Sequence, residues 1–234
     1  MFFKFPHTPH LVWLGKTPCR DDKVFSPEEA LAFVEGDVTV EEKVDGSNIG
    51  FSLDEGGVLR VQSRGNYLAR GSHPQFQPLW AWIESRRFAL IEALQPGLLL
   101  FGEWCFARHS VPYNRLPDWF LGFDIYDRAA GSFWSCDRRD RWLNDLGLAA
   151  VPKLALGRFS IEQLISLIGP SRLSEGPMEG IYLRRDQGDL LEQRAKIVRS
   201  EFVEGIDKHW SDESLVKNGL ASISPAPKFE APAP

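Results

Sequence analysis

Short strand-like and helix-like segments follow one another along this chain in irregular order, without the βαβ rhythm that builds a doubly wound parallel sheet. Residues 38–43 alternate Val38 and Val40 with Thr39 and Glu41, the two-residue period of a half-buried strand. Residues 48–53 and 58–63 read as further strands joined by a hairpin turn at Asp54-Glu55-Gly56-Gly57. Aromatic and β-branched content marks strands at 98–104 and 119–126, and short late strands are expected at 180–183 and 195–198. Trp80, Ile83, Phe88, Ile91 and Leu94 suggest the buried face of a helix over 79–94, ended by Pro96-Gly97. Residues 138–146 and 161–168 read as shorter helices, the second with Ser160 as N-cap. The expected fold class is α+β, built on antiparallel sheets.

With 234 residues, 43% of them hydrophobic, the chain can bury one large core or two small ones. Its formal net charge of −5 argues against a nucleic-acid binder held by bulk positive charge and leaves a locally basic cleft open. The longest apolar run, at 98–101, falls far short of the roughly 20 residues of a membrane helix. Met1-Phe2-Phe3-Lys4-Phe5-Pro6 does not read as a secretory signal. Cys19, Cys105 and Cys136 are odd in number and lack CxxC spacing, so reduced thiols and a cytoplasmic setting are expected. His7 and His10 form an HxxH without further ligands to complete a zinc site. The Pro/Ala-rich residues 222–234 read as a disordered tail behind one folded domain over 1–221.

The chemistry-bearing residues sit at strand ends. In Glu41-Glu42-Lys43-Val44-Asp45-Gly46-Ser47-Asn48 a lysine ends a strand ahead of a tight turn. Such an amine either projects into a cleft, where desolvation or nearby cations make it a nucleophile, or lies on the surface before a hairpin. Glu103 ends an otherwise apolar strand, and Glu179 stands directly before another. Acids so placed are either paired or face a site. Arg194 and Lys196 share one strand face, a spacing suited to gripping phosphate. Together these groups are the kind that phosphoryl or nucleotidyl transfer requires.

Taken in order, six segments make the chain resemble the covalent nucleotidyltransferases, and within them the ATP-dependent, nick-sealing RNA ligases. They are Lys43-Val44-Asp45-Gly46, continued by Ser47-Asn48; Ser63-Arg64-Gly65-Asn66; Glu103 in Phe-Gly-Glu-Trp; Phe120-Leu121-Gly122-Phe123-Asp124-Ile125; Glu179-Gly180-Ile181; and Arg194-Ala195-Lys196-Ile197-Val198. Each motif is short, and the ordered set carries the resemblance.

The resemblance implies a nucleotidyltransferase fold of twisted antiparallel sheets flanked by helices, with the nucleotide cleft between them. It implies that Lys43 attacks ATP to form lysyl-AMP, that AMP passes to an RNA 5′-phosphate, and that a 3′-hydroxyl displaces it, a reaction of RNA repair. Lys196 would bind the α-phosphate and assist the first step. Glu42, Asp45, Asn48, Arg64, Glu103, Phe123, Glu179 and Arg194 would form the nucleotide pocket, with Phe123 stacking on adenine or, on periodicity alone, serving as core. Glu179 and Asp45 would orient Mg²⁺ or Mn²⁺ through water. Relatives often carry lysine where Arg194 stands. Arg108 and Arg115, in a basic and aromatic loop with His109, Tyr113 and Asn114, and Arg184, Arg185 and Arg199 are candidate RNA contacts or simply solvated charges. A monomer is expected, with a partner protein as one source of what an appended C-terminal domain supplies in many relatives. His209-Trp210 could pack on the body. A DNA ligase core, a capping guanylyltransferase and a non-catalytic nucleotide- or RNA-binding module are the alternatives.

Overall fold

The computed structural model describes residues 2–16, 18–19, 23–95, 97–204 and 215–221. The expected tail and His209-Trp210 lie outside them. Nine strands form two antiparallel sheets among the described residues. The first contains β1 (Val38–Lys43), β7 (Lys153–Gly157), β8 (Gly180–Gln187) and β9 (Leu190–Val198), in the order β7-β1-β8-β9. The second contains β2 (Ser47–Leu53), β3 (Leu59–Ser63), β4 (Leu98–Trp104), β5 (Phe120–Asp127) and β6 (Ser132–Phe133), in the order β3-β2-β4-β5-β6. The β2–β3 hairpin turns at residues 54–57, with Gly57 at φ 74° and its N–H donating to the Asp54 carbonyl.

Helices back both sheets. α1 (Pro27–Val34) and α4 (Ile161–Ser166) bring Ala30, Phe33 and Leu164 against Val38, Val40, Ile181, Leu183, Ala195 and Ile197 of the first sheet. α2 (Gln77–Leu94) and α3 (Cys136–Asp145) bring Leu79, Trp82, Ile83, Leu90, Leu94 and Leu143 against Ile49, Phe51, Leu100 and Phe120 of the second. A fifth short helix, α5 (Ser200–Glu204), follows β9. Residues 9–11 add an edge contact to β9, with Leu11 N–H donating to the Lys196 carbonyl and Lys196 N–H to that of Pro9.

The α2 face differs from its sequence expectation. Phe88 is 87% exposed, and the buried stripe is Leu79, Trp82, Ile83, Leu90 and Leu94. At about 100° per residue Phe88 points some 140° away from Ile83, whereas Leu79, Leu90 and Leu94 fall within about 40° of it. α1 falls outside the helices expected from sequence, although Ser26 and Glu29 form a capping box at its start. β8 and β9 also run beyond their expected spans, because their outer halves pair through Arg184, Arg185 and Arg194 rather than through apolar residues.

Candidate active site

β1 ends at Lys43 in one sheet and β2 begins at Ser47 in the other, so residues 44–46 carry the chain across the gap between sheets. The alternative of a surface lysine before a hairpin is therefore excluded, since β1 pairs with β7 and β8 and β2 with β3 and β4. Gly46 makes this crossing possible. A Cβ there would lie 2.7 Å from the Trp104 carbonyl oxygen and 3.1 Å from Glu103 Cγ. Without one, Gly46 N–H donates to Glu103 Oε1 at 3.0 Å. Asp45 is held from the other side: its Oδ2 accepts from the N–H groups of Ser110 (2.7 Å) and Val111 (2.8 Å), and its own N–H donates to the Tyr113 hydroxyl oxygen (2.8 Å).

The crossing opens into a cleft of about 440 Å³ whose lining includes Glu42, Lys43, Asp45, Asn48, Arg64, Glu103, Phe123 and Lys196. Seven motif residues separated by as much as 153 positions thus meet in one cavity together with Glu42. Glu179 joins them through Lys43, whose Nζ donates to its Oε1 at 2.5 Å. That contact follows from pairing, because Lys43 lies opposite Gly180 and Glu179 is the preceding residue. Gly180 is required here, since a Cβ would lie 2.2 Å from the Ile197 carbonyl oxygen on β9.

Burial and crowding set the protonation of these groups. Burial pushes the Lys43 amine down, but the fields of Glu179, Glu103 and Asp45 outweigh it and leave its pKa above the ordinary lysine value. Glu103 is pushed up to about 8, first by burial and then by repulsion from Glu179 and Asp45, with Lys43 opposing. Glu179 is pushed up to about 7, again first by burial, with Lys43 drawing it down and Asp45 adding to the rise. Burial lowers the His109 pKa while Asp45 pulls it the other way; its Nε2 lies 3.2 Å from Gln75 Oε1, which also accepts from Ser47 Oγ.

Phe123 reaches the cleft through a bulge. Phe101 of β4 lies opposite Asp124 and the next residue, Gly102, lies opposite Gly122, leaving Phe123 extra on β5. Leu121 and Ile125, which share its nominal face, are fully buried, whereas Phe123 lines the cavity. Its carbonyl accepts from Arg139 Nη1 at 2.5 Å and Arg184 Nη1 at 3.2 Å.

Several sequence assignments change. Arg184 is withdrawn as an RNA contact: it is fully buried, donating to Asp124 Oδ1 and the Trp134 carbonyl. Arg194 is not among the described residues lining the cleft. It donates to Asp124 Oδ2 and lies over the Phe133 ring at 3.9 Å, so its charge is committed between the sheets. Glu42 lines the cleft, but its carboxylate accepts from Ser171 Oγ and Arg172 N–H and so fastens that loop to β1. Tyr113 is buried, which removes it from the loop's surface. Arg115 donates to the Ser174 carbonyl, Arg185 to Glu192 and the Ala32 carbonyl, and Arg199 to the Met178 carbonyl; Arg108 and Arg115 are exposed.

Tyr182 and Arg139 were missed. Tyr182 lines the cleft beside Lys196, its register partner, and alternation about Ile181 and Leu183 already put it on the opposite strand face. Arg139, fully buried on α3, forks onto Glu41, with further bonds to Asp140 and Cys136 Sγ. A guanidinium thus fills the space between Glu41, Cys136 and Asp140 that their spacing would otherwise offer a metal. Nothing in a charged run such as Asp137-Arg138-Arg139-Asp140-Arg141 marks which arginine turns inward.

Two helix-backed antiparallel sheets facing across a polar cleft, with a lysine at the crossover between them, define a nucleotidyltransferase fold. The family model for RNA ligase matches residues 36–198, and the chain belongs to that family. No curated protein matches it. Among solved structures it is similar to Naegleria gruberi RNA ligase with PPi, with a TM-score of 0.62, 21% identity, and coverage of 91% of this chain and 65% of that one. Two variants of the same ligase, both with ATP and Mn, match with TM-scores of 0.62 and 0.57 at 20% and 25% identity; the matches cover 85% and 75% of this chain and 63% and 53% of those chains. The chain therefore spans less than two thirds of the length of these relatives. No helix among the described residues is long and apolar enough to cross a membrane.

Proposed function

We propose that the chain is an ATP-dependent RNA ligase that joins RNA 3′-hydroxyl and 5′-phosphate ends through lysyl-AMP on Lys43. The observation that carries this reading is the Lys43 amine, bonded to Glu179 where the chain passes from β1 in one sheet to β2 in the other, in a cleft shared with Glu103, Arg64, Phe123 and Lys196. In the first step the neutral amine attacks the α-phosphorus of ATP; a P–N bond forms, the P–O bond to pyrophosphate breaks, and the amine's proton leaves. An RNA 5′-phosphate oxygen then attacks the same phosphorus and the P–N bond breaks, returning a proton to Lys43. The 3′-hydroxyl finally attacks the RNA phosphate and expels AMP. In this reading Lys196 and Arg64 grip phosphate, Glu103 holds a ribose hydroxyl, and Phe123 supplies an aromatic face for adenine.

The carboxylates of Glu179, Glu103 and Asp45 keep Lys43 as an ammonium ion, so the reaction needs the charge around it to change. Among the described residues, Glu179 Oε2 and Asn48 Oδ1 are buried without a hydrogen-bond partner, and the Glu179 carboxylate is crowded by those of Glu103 and Asp45. These oxygens fit a hard divalent cation, Mg²⁺ or Mn²⁺, held by Glu179 and Asp45 through water. When bound, such a cation neutralises charge at the α-phosphate and lowers the pKa of the amine.

Incubation with ATP labelled at the α-phosphate and Mg²⁺ should give a protein adduct stable to alkali and labile to acid. Absence of the adduct, or its persistence in Lys43→Ala, would overturn the proposal. GTP beside ATP tests the capping alternative, and nicked RNA beside nicked DNA tests the substrate.

A further inference from the structure

Residues 215–221 return to the back of the site, and the contact they make is specific. Asn218 is buried, and its side chain makes three hydrogen bonds to one loop. Oδ1 accepts from Tyr113 N–H at 2.9 Å, and Nδ2 donates to the carbonyls of Cys105 (2.9 Å) and Ala107 (3.2 Å). The surrounding backbone extends the union: Arg108 N–H donates to the Val216 carbonyl, Asn218 N–H to that of Phe106, Gly219 N–H to that of Tyr113, and Leu116 N–H to that of Gly219. Lys217 Nζ lies 5.1 Å from the Trp119 ring centroid and 5.5 Å from that of Phe106. An amide that satisfies one donor and two acceptors of a single loop fixes that loop's shape, because each group would otherwise be buried unpaired.

The loop so fixed is the one that holds Asp45. Tyr113, clamped by Asn218 at its backbone, presents the hydroxyl that accepts from Asp45 N–H, and Ser110 and Val111 donate to Asp45 Oδ2. Asp45 is two residues from Lys43, and a displacement of a nucleophile by about 1 Å is enough to slow an attack. The geometry points to Asn218 as a positioning residue for the adenylylation step, acting on Lys43 through Tyr113 and Asp45 from outside the six motifs. This inference rests on the proposed reading of the cleft. Its test therefore has one arm that needs no activity.

In that arm, amide hydrogen exchange is compared between the wild-type chain and Asn218→Ala. Exchange at Ser110 and Val111 should quicken by about tenfold or more as the loop opens locally. In the second arm, self-adenylylation is measured in Asn218→Ala, in Tyr113→Phe, which removes only the hydroxyl, and in the double variant. Each single variant should lose about tenfold or more in rate at saturating ATP, with KM for ATP within about threefold, and the double should be no slower than the worse single. Wild-type protection at Ser110 and Val111 in Asn218→Ala overturns the inference. So does multiplication of the two losses in the double variant, or a fall in active-site titre with an unchanged rate per site. If the wild-type chain forms no adduct, the reading of the cleft fails, and the exchange arm still decides whether Asn218 orders the Asp45 loop.

Discussion

Lys43 and Glu179 are paired by strand register: Lys43 faces Gly180 across β1 and β8, and the residue before Gly180 places its Oε1 2.5 Å from the amine. Removing the Glu179 charge leaves burial, which favours the neutral amine, with less to oppose it. Glu179→Gln should therefore lower the Lys43 pKa, because it removes a negative charge at contact distance. The measurement is the pH dependence of Lys43 acylation without ATP, followed by peptide mass spectrometry. A midpoint that stays put or rises would show that Glu179 does not hold the proton there.

The same carboxylates predict how stability depends on pH. Glu103 at about 8 and Glu179 at about 7 bind protons more tightly folded than unfolded. Their stabilising contribution is fully present below the ordinary glutamate pKa of about 4.5 and is lost as pH rises through 7 and 8. Lys43, also raised, loses its contribution only above the ordinary lysine range. In metal-free buffer these two acids should make the chain melt at a lower temperature at pH 8.5 than at pH 6, and Mg²⁺ or Mn²⁺ should raise the melting temperature more at the higher pH. Equal metal-induced shifts at both pH values, measured by scanning calorimetry, would contradict a cation site built on these acids.

Arg139 and Glu41 are both essentially buried, so each charge depends on the other. Arg139→Met should cost about 3–5 kcal/mol by stranding the Glu41 carboxylate, while Arg139→Met with Glu41→Gln should recover much of that. Urea unfolding of the two variants compares them directly. A double variant no more stable than the single would mean that the loss comes from Asp140, Cys136 Sγ and the Phe123 carbonyl, the other Arg139 partners.

The fold class and most strand positions are legible because β-branched and aromatic runs and turn residues mark strands locally, as at Val38, Val40 and Gly57, although β1 is buried on both faces and not half-buried as its alternation suggests. The site was readable as a set of strand-end acids and cations, because such residues are rarely placed at apolar strand ends without a use. What could not be read was orientation. In sequence Arg184 is a candidate RNA contact or a solvated charge and Arg194 a phosphate-gripping cation of the cleft, yet both fasten onto Asp124, a residue some 60 to 70 positions away on the other sheet. Phe123 could not be assigned to core or cleft because a bulge, which depends on pairing with β4, breaks the alternation. Asn218 carries no local signal at all, since its three partners lie more than 100 residues earlier.

Phe123 lines the cleft on a backbone held by two arginines, so replacing its ring should affect nucleotide affinity more than fold. Phe123→Leu should weaken ATP binding by about 1–3 kcal/mol, roughly 5- to 150-fold in Kd, and Phe123→Trp should retain it. Calorimetric titration with Lys43→Ala as the background avoids turnover. If Phe123→Leu binds ATP as tightly as its parent, adenine does not stack there.

Arg64, read in sequence as part of the nucleotide pocket, and Arg184, read as a candidate RNA contact, differ in what they can offer a phosphate. Arg64 is exposed at the cleft, free to neutralise a phosphate, whereas Arg184 is fully enclosed on Asp124. Each phosphate contact releases condensed counterions and contributes about 0.7–0.9 to the slope of log Kobs against log salt concentration. Arg64→Ala should therefore weaken binding to nicked duplex RNA and flatten that slope by about this amount, measured by fluorescence anisotropy over a potassium chloride series. Arg184→Met should leave the slope as it is and lower the melting temperature, because it leaves the buried Asp124 with Arg194 as its one remaining ion-pair partner among the described residues. If Arg184→Met flattens the slope and Arg64→Ala does not, RNA lies along β8 and not across the mouth of the cleft.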